Sequence, residues 1–143
     1  MNIDILKDLV DYGVLGLLGL MGFVSIWFYI ERLIFLSKVD IKSYKHLQKL
    51  EIDLTNHTTI ISSIAANSVY VGLLGTVFGI IITFYSMGLS GQIDVKIIMS
   101  SLALALKATA LGLIVAIPAM FFYNHLVRII EVKLSLWHIK DED

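Results

Sequence analysis

Two threonines and one lysine stand inside long apolar stretches of this sequence, and each has chemistry to offer there. Thr76 lies near the middle of 64–87 and Thr109 near the middle of 97–122. A hydroxyl both donates and accepts, so it can hold a carboxyl group in either protonation state. On two helices running in opposite directions the two hydroxyls come to a similar depth. The plain structural alternative for each is a bond back to the carbonyl four residues earlier on its own helix. Lys107 is the one charged residue between 97 and 127. A charge at such a depth costs about 2.5–3.5 kcal/mol on insertion scales. Either an acid pairs with it, or its long stem carries the ammonium to the interface. On an ideal helix Lys107 and Thr109 point about 160° apart, so they do not face one axis.

The elements that carry these residues follow from the distribution of charge. Hydrophobic residues make up 57% of the 143-residue chain and charged residues 16%, more apolar than a soluble domain of this size can bury. No Asp, Glu, Lys or Arg occurs from Tyr12 to Ile30, nor from Leu54 to Ile93. Each gap holds the roughly 20 apolar residues that a helix needs to cross a bilayer. Backbone polar groups in lipid must be satisfied within the segment, which favours helices. The reading is an all-α membrane protein with three transmembrane helices and cytoplasmic helical extensions. The spans are 12–30, 64–87 and 97–122, and 1–143 forms a single membrane domain. The alternative for the first span, a cleaved signal peptide, conflicts with Asp4, Asp8 and Asp11 around a lone Lys7.

Lys and Arg set the orientation. Segment 31–63 holds Arg32, Lys38, Lys42, Lys45 and Lys49, and the tail 123–143 holds Arg128, Lys133 and Lys140. Segment 1–11 has only Lys7 and loop 88–96 only Lys96. The richer side is the cytoplasmic one, so segments 1–11 and 88–96 face outward. Ile41, Tyr44, Leu47 and Leu50 recur at helical spacing and predict that the first helix continues inward, turning near Asp53 to His57. Leu126, Ile129, Ile130 and Val132 extend the third helix likewise. Interfacial helices lying on the lipid are the alternative for both.

Small residues mark where these helices pack. Gly72, Thr76, Gly79 and Thr83 form one stripe of the second span, and Gly75 with Gly79 forms a GxxxG. The third span repeats the pattern with Ala105, Thr109, Gly112 and Ala116, while Gly13, Gly16, Gly19 and Gly22 wind around the first. Close backbone approach through small residues drives helix association in lipid. Three helices have more such faces than one monomer uses, which predicts a homo-oligomer. Pro118 removes the hydrogen bond to the Ile114 carbonyl and predicts a bend near the inner end of the third span.

No acidic residue lies within any of the three spans, and His46, His57, His125 and His138 fall outside them. If protons cross, a partner must bring the titrating group on a helix that enters the oligomer. With no cysteine, thiolate metal sites are excluded. No nucleophile–base pair or metal-ligand cluster is present, so no enzyme, cofactor or metal is expected. The even charge balance gives no sign of nucleic acid as a partner. The alternatives are a non-conducting scaffold and small-molecule efflux, the latter weakened by the lack of a membrane carboxylate.

The stretches Gly72-Leu-Leu-Gly-Thr-Val-Phe-Gly79 and Ala105-Leu-Lys-Ala-Thr-Ala-Leu-Gly-Leu-Ile-Val-Ala-Ile-Pro-Ala119, followed by Tyr123-Asn124, with Glu31-Arg32 after the first span, resemble the MotA/TolQ/ExbB proton channel family. The short length looks most like its ExbB branch. The resemblance implies a pentameric ring in the bacterial inner membrane with the N-terminus outside. The ring surrounds helices of an ExbD-like small subunit whose aspartate carries the proton. It also implies that Thr76 and Thr109 are the channel threonines and that the complex passes the energy of the proton gradient to a TonB-like protein for uptake across the outer membrane. A TolQ-like role in envelope maintenance is the near alternative. Two departures stand out. Many members carry a glutamate five residues before the channel threonine of the third span, where this chain has Leu104, with Lys107 nearby. The cytoplasmic segment is also shorter than in many relatives.

Overall fold

The computed structural model describes residues 2–142, so Met1 and Asp143, the outermost positions of the first and last segments, lie outside it. Helix α1 spans Ile3–Lys38, a single 3-10 turn Ile41–Ser43, α2 Leu47–Thr55, α3 Thr58–Ser90 and α4 Val95–Glu142. Helices α1, α3 and α4 are each long and apolar enough to cross a membrane. At about 1.5 Å per residue, the 48 residues of α4 reach far beyond a hydrocarbon core of about 30 Å.

Local chemistry sets the ends. Asn2 caps α1 by accepting from the backbone N–H of Asp4. Asp94 accepts from the N–H of Lys96 at the start of α4. Gly91 ends α3 in the left-handed region at φ 69°, where its N–H returns to the Met87 carbonyl, a conformation in which a side chain would be strained. Helix α4 passes through Pro118 without interruption.

The packing is that of a protein in lipid, with small and polar groups inside and large apolar ones outside. Of the most apolar window of each long helix, only 11% is buried in α1, 33% in α3 and 28% in α4. Phe23, Trp27, Phe78, Phe84, Ile114 and Phe121 point outward, while Ala65, Ser68, Gly72, Gly75, Thr76, Ala105, Gly112 and Ala116 line the interior. Packing between α3 and α4 dominates the fold.

At the α2 end the protein has an ordinary apolar core of Leu36, Leu50, Leu54, Ile61, Leu126, Ile130 and Trp137. Here the structure corrects the expected continuous inward helix through Ile41 and Leu50. Helix α1 stops at Lys38 and the chain doubles back through the 3-10 turn into α2. Asp40 starts that turn by accepting from the N–H of Lys42. Trp137 donates from its indole to the Tyr44 carbonyl, and Lys140 donates to that of Lys42. Folding back lets Leu50 and Leu54 reach Leu126 and Ile130, which a straight extension of α1 would carry away. The turn expected near Asp53 to His57 is where α2 passes to α3, with His57 left-handed at φ 67°.

Candidate functional site

The hydroxyls of Thr76 and Thr109 meet across the α3–α4 seam at 2.5 Å. Thr76 Oγ1 also donates to the Ala105 carbonyl at 2.8 Å, with the Gly72 carbonyl of its own helix farther off at 3.4 Å. Thr109 Oγ1 lies 3.5 Å from the same Gly72 carbonyl. The short bonds therefore cross between helices, in place of the back-bond each threonine makes when isolated. Thr76 is buried and Thr109 half-buried, so Thr109 forms the rim through which the pair is reached.

Glycines make this approach possible. A Cβ at Gly72 would lie 2.6 Å from the Ala108 carbonyl oxygen, and one at Gly112 the same distance from that of Ser68. Both obstacles are backbone, which cannot swing aside. A Cβ at Gly79 would lie 2.9 Å from that of Ala105. Gly75 is enclosed on two sides, by Ala108 of α4 and Val14 of α1, each at 2.9 Å. Gly72, Gly75, Gly79 and Gly112 thus bring the helices close enough for the two hydroxyls to touch. Pro118 is exposed, about two and a half turns beyond Thr109, and takes no part in the pair.

One turn before Gly72 and facing Gly112, the Ser68 hydroxyl is fully buried and has no hydrogen-bond partner among the described residues. Ser68 continues the stripe of Gly72 and Thr76, and that spacing is the signal that would have found it. The Ala105 carbonyl, an acceptor for Thr76, leaves no mark in a sequence.

Lys107 is exposed on a different face of α4 from Thr109. It lines a cleft between α1 and α4 together with Asp8 and Asp11. The structure does not bring it to the threonine pair.

At the α2 end a polar cluster ties three elements together. The Arg32 guanidinium, 3% exposed, donates from Nε and Nη2 to both oxygens of Glu31, each at 2.7 Å. It donates from Nη1 to the Asp53 carbonyl at 2.9 Å and lies over the Phe35 ring. The Arg32 bond holds the Glu31 carboxyl below its usual range against the opposing effect of burial, with a smaller contribution from His57. The Tyr44 hydroxyl donates to Asp53 at 2.6 Å, which lowers the Asp53 carboxyl and raises the Tyr44 phenol. Tyr29 and His125 join α1 to α4 through a 2.8 Å hydrogen bond. Among the described residues no group of metal-ligating side chains converges.

A pair of hydroxyls, one buried and one half-buried, on glycine-packed, apolar helices is a polar contact for a membrane interior. The sequence pattern of the MotA/TolQ/ExbB proton channel family matches residues 38–139. The chain belongs to that family. Within it, the biopolymer transport protein ExbB of Helicobacter pylori strain J99 is 55% identical over 127 residues, covering 89% of this chain and 88% of that relative. The ExbB of Aquifex aeolicus is 49% identical over 132 residues, covering 92% of this chain and 89% of that relative. The Tol-Pal system protein TolQ of Haemophilus influenzae is 36% identical over 90 residues, covering 62% of this chain and 40% of that relative. The family match takes in α2, α3 and most of α4, and so includes the threonine pair and every glycine that packs it. It makes this chain a multi-pass membrane protein of the proton-channel type.

Proposed function

We propose that this chain is the ExbB-type energiser subunit of a TonB-type system. It sits in the bacterial inner membrane with its N-terminus periplasmic and its C-terminus cytoplasmic. Copies assemble into a ring, pentameric by the family resemblance, around helices of an ExbD-like small subunit, and the assembly drives a TonB-like protein with the proton-motive force. The observation that carries this reading is the Thr76–Thr109 pair. Its hydroxyls offer donors and acceptors at a depth where the chain's three spans hold no acid. A membrane aspartate of the small subunit completes the site. It meets half-buried Thr109 first, and Thr76, anchored on the Ala105 carbonyl, orients that hydroxyl. Because a hydroxyl serves both protonation states, the pair can hold the aspartate as it takes up and releases its proton. The relatives matched over most of their length carry the ExbB name, whereas the TolQ relative is matched over less than half, which favours uptake over envelope maintenance.

Thr76→Val keeps the shape of the seam and deletes the hydroxyl. Thr109 then loses the hydroxyl that orients it; a neutral hydrogen bond of this kind is worth about 0.5–1.5 kcal/mol, enough to slow energised uptake roughly two- to tenfold. Uptake is measured in cells lacking their own ExbB-type subunit and supplied with this chain and its small partner, with native mass spectrometry checking assembly. Uptake that survives the substitution in an intact complex would reduce the subunit to a scaffold.

A further inference from the structure

Packing fixes how far α1 and α4 are offset along their axes. A Cβ on Gly22 would lie 3.5 Å from a Val115 methyl, and the Tyr29 ring stacks on Phe122 with centroids 4.2 Å apart. Both contacts have the same offset in sequence. Carried outward, this offset brings Tyr12 level with Ala105 and Asp11 level with Leu104. Spans that begin at 12 and at 97 by charge distribution therefore do not begin at one level. The first begins two turns deeper, and the acids preceding it lie beside the third helix. The cleft of about 270 Å³ at this level agrees, being lined by Asp8, Asp11 and Tyr12 of α1 and by Leu104 and Lys107 of α4.

We infer that Lys107 takes its counter-charge from within its own chain, from Asp11 with Asp8 one turn farther out, and that this brace positions the first helix against the third. Lys107 lies about one turn below Asp11, within reach of its four-carbon stem. Asp11 is half-buried whereas Asp8 is exposed, which makes Asp11 the principal partner. The groups facing the cleft from the other elements offer nothing better, since Gly75, Ala105 and Ala108 are uncharged. Among the described residues, the segment before the first span has Lys7 as its single lysine against three carboxylates, Asp4, Asp8 and Asp11. Lys107 makes no ion pair with any described residue in the observed rotamer. The brace forms by torsions of its stem that carry the ammonium across the cleft.

The brace does two things. It cancels the one charge embedded in α4, which leaves the small subunit's aspartate to the threonine pair. It also presses α1 inward at the level where Gly75 is held between Val14 and Ala108, one residue from Thr76. Lys107 and Asp11 are thus positioning residues. The inference rests on the membrane reading of the helices and not on the identity of the energised partner.

The chain contains no cysteine, so paired cysteines report without background. The full chain, in membranes with its co-expressed small subunit, carries Asp11→Cys with Lys107→Cys, or Asp8→Cys with Lys107→Cys. A short bis-thiosulfonate is applied, and the intact mass reads the result: one linker joined to both thiols with loss of two sulfinates is a bridge within the chain, two singly attached linkers are no bridge, and a doubled mass is a bridge between copies. Gly22→Cys with Val115→Cys is the control for α1–α4 contact, and it works whether or not the complex energises uptake. Bridging of the Asp11 pair within one chain, to the extent seen in the control, is expected. A bridged control with neither acid pair bridged, or with bridges only between copies, would overturn the inference. Charge coupling is read from the melting midpoint of the complex. Lys107→Met and Asp11→Asn should each lower it, the double variant should be no worse than either, Lys107→Arg should hold it, and Lys107→Asp with Asp11→Lys should recover it. Additive losses in the double variant with no recovery in the exchange would overturn the brace even where bridging occurs.

Discussion

Gly72 and Gly112 are the positions where the site is least tolerant, because a new methyl at either meets a backbone oxygen at 2.6 Å. Gly72→Ala or Gly112→Ala must part α3 from α4. Overpacking of this kind costs about 1–3 kcal/mol, and it also separates the two threonine hydroxyls. A lowered thermal midpoint in detergent, with uptake lost alongside it, is the expected result. Gly16→Ala, where nothing lies within 4 Å, should leave the midpoint of the isolated chain unchanged. Ser68 makes the opposite case. Its buried hydroxyl has no partner, and a buried polar group left unpaired costs about 1–3 kcal/mol. Ser68→Ala should therefore raise the midpoint, and a fall would show that the hydroxyl is paired in the membrane. At this scale the sequence was informative about the threonines and glycines, whose type and spacing carry their meaning. It was silent on the Ala105 carbonyl, and it placed Asp8 and Asp11 outside the site because charge distribution along one helix says nothing of where that helix sits beside another.

Among the elements, the three long helices were legible because an apolar stretch of sufficient length has few other fates in lipid. The break after Lys38 was not. Ile41, Tyr44, Leu47 and Leu50 have helical spacing, but the same spacing serves a turn followed by a short helix when the partners lie on α4. Asp40 caps the turn, but one Asp beside a helical pattern does not by itself mark a break. The returned segment is held by charges whose pH dependence can be worked out. Glu31 and Asp53 are both lowered, Glu31 mainly by Arg32 and Asp53 mainly by the Tyr44 hydroxyl. A lowered carboxyl stabilises the fold above its unfolded value, and that contribution fades as pH falls through its folded one. Tyr44 is raised, so its contribution holds below its ordinary value of 10.0 and fades above. Hydrogen-exchange protection of 39–57, taken relative to the intrinsic rate at each pH, should thus stay flat from neutral pH into the mildly acidic range, falling only below the usual carboxylate range or in strong alkali. Glu31→Gln leaves buried Arg32 without its ionic partner, and losing one side of a buried pair costs about 3–5 kcal/mol. The part-exposed Glu31 carboxylate moderates that figure through solvent screening, so lower protection of 39–57 at neutral pH, at the low end of that range or below, is expected, with the difference from the unsubstituted chain closing as pH falls through the folded value of Glu31.

For the molecule as a whole, a monomer leaves much unexplained. The outward faces of all three long helices are apolar, and Gly13, Gly16 and Gly19 wind along an exposed strip of α1 where an added Cβ would meet no described residue within 4 Å. Lipid can cover such a strip, but so can another helix, and small residues favour the helix. Native mass spectrometry of the chain alone and with an ExbD-like subunit decides between them. A ring of several copies that takes up the small subunit is expected, with Gly16→Leu reducing the number of copies while the chain still folds. A monomer or dimer indifferent to the small subunit would count against the proposed function.

Helix α4 runs unbroken from Val95 to Glu142, carrying Thr109 at one level and Trp137 at another. Its far end is fastened to the returned segment through Trp137 to Tyr44 and Lys140 to Lys42. It is therefore an axle with a handle attached. A twist applied at the hydroxyl pair would be delivered to the 3-10 turn and α2, and the weakest point of the shaft is Pro118, where one backbone bond is missing.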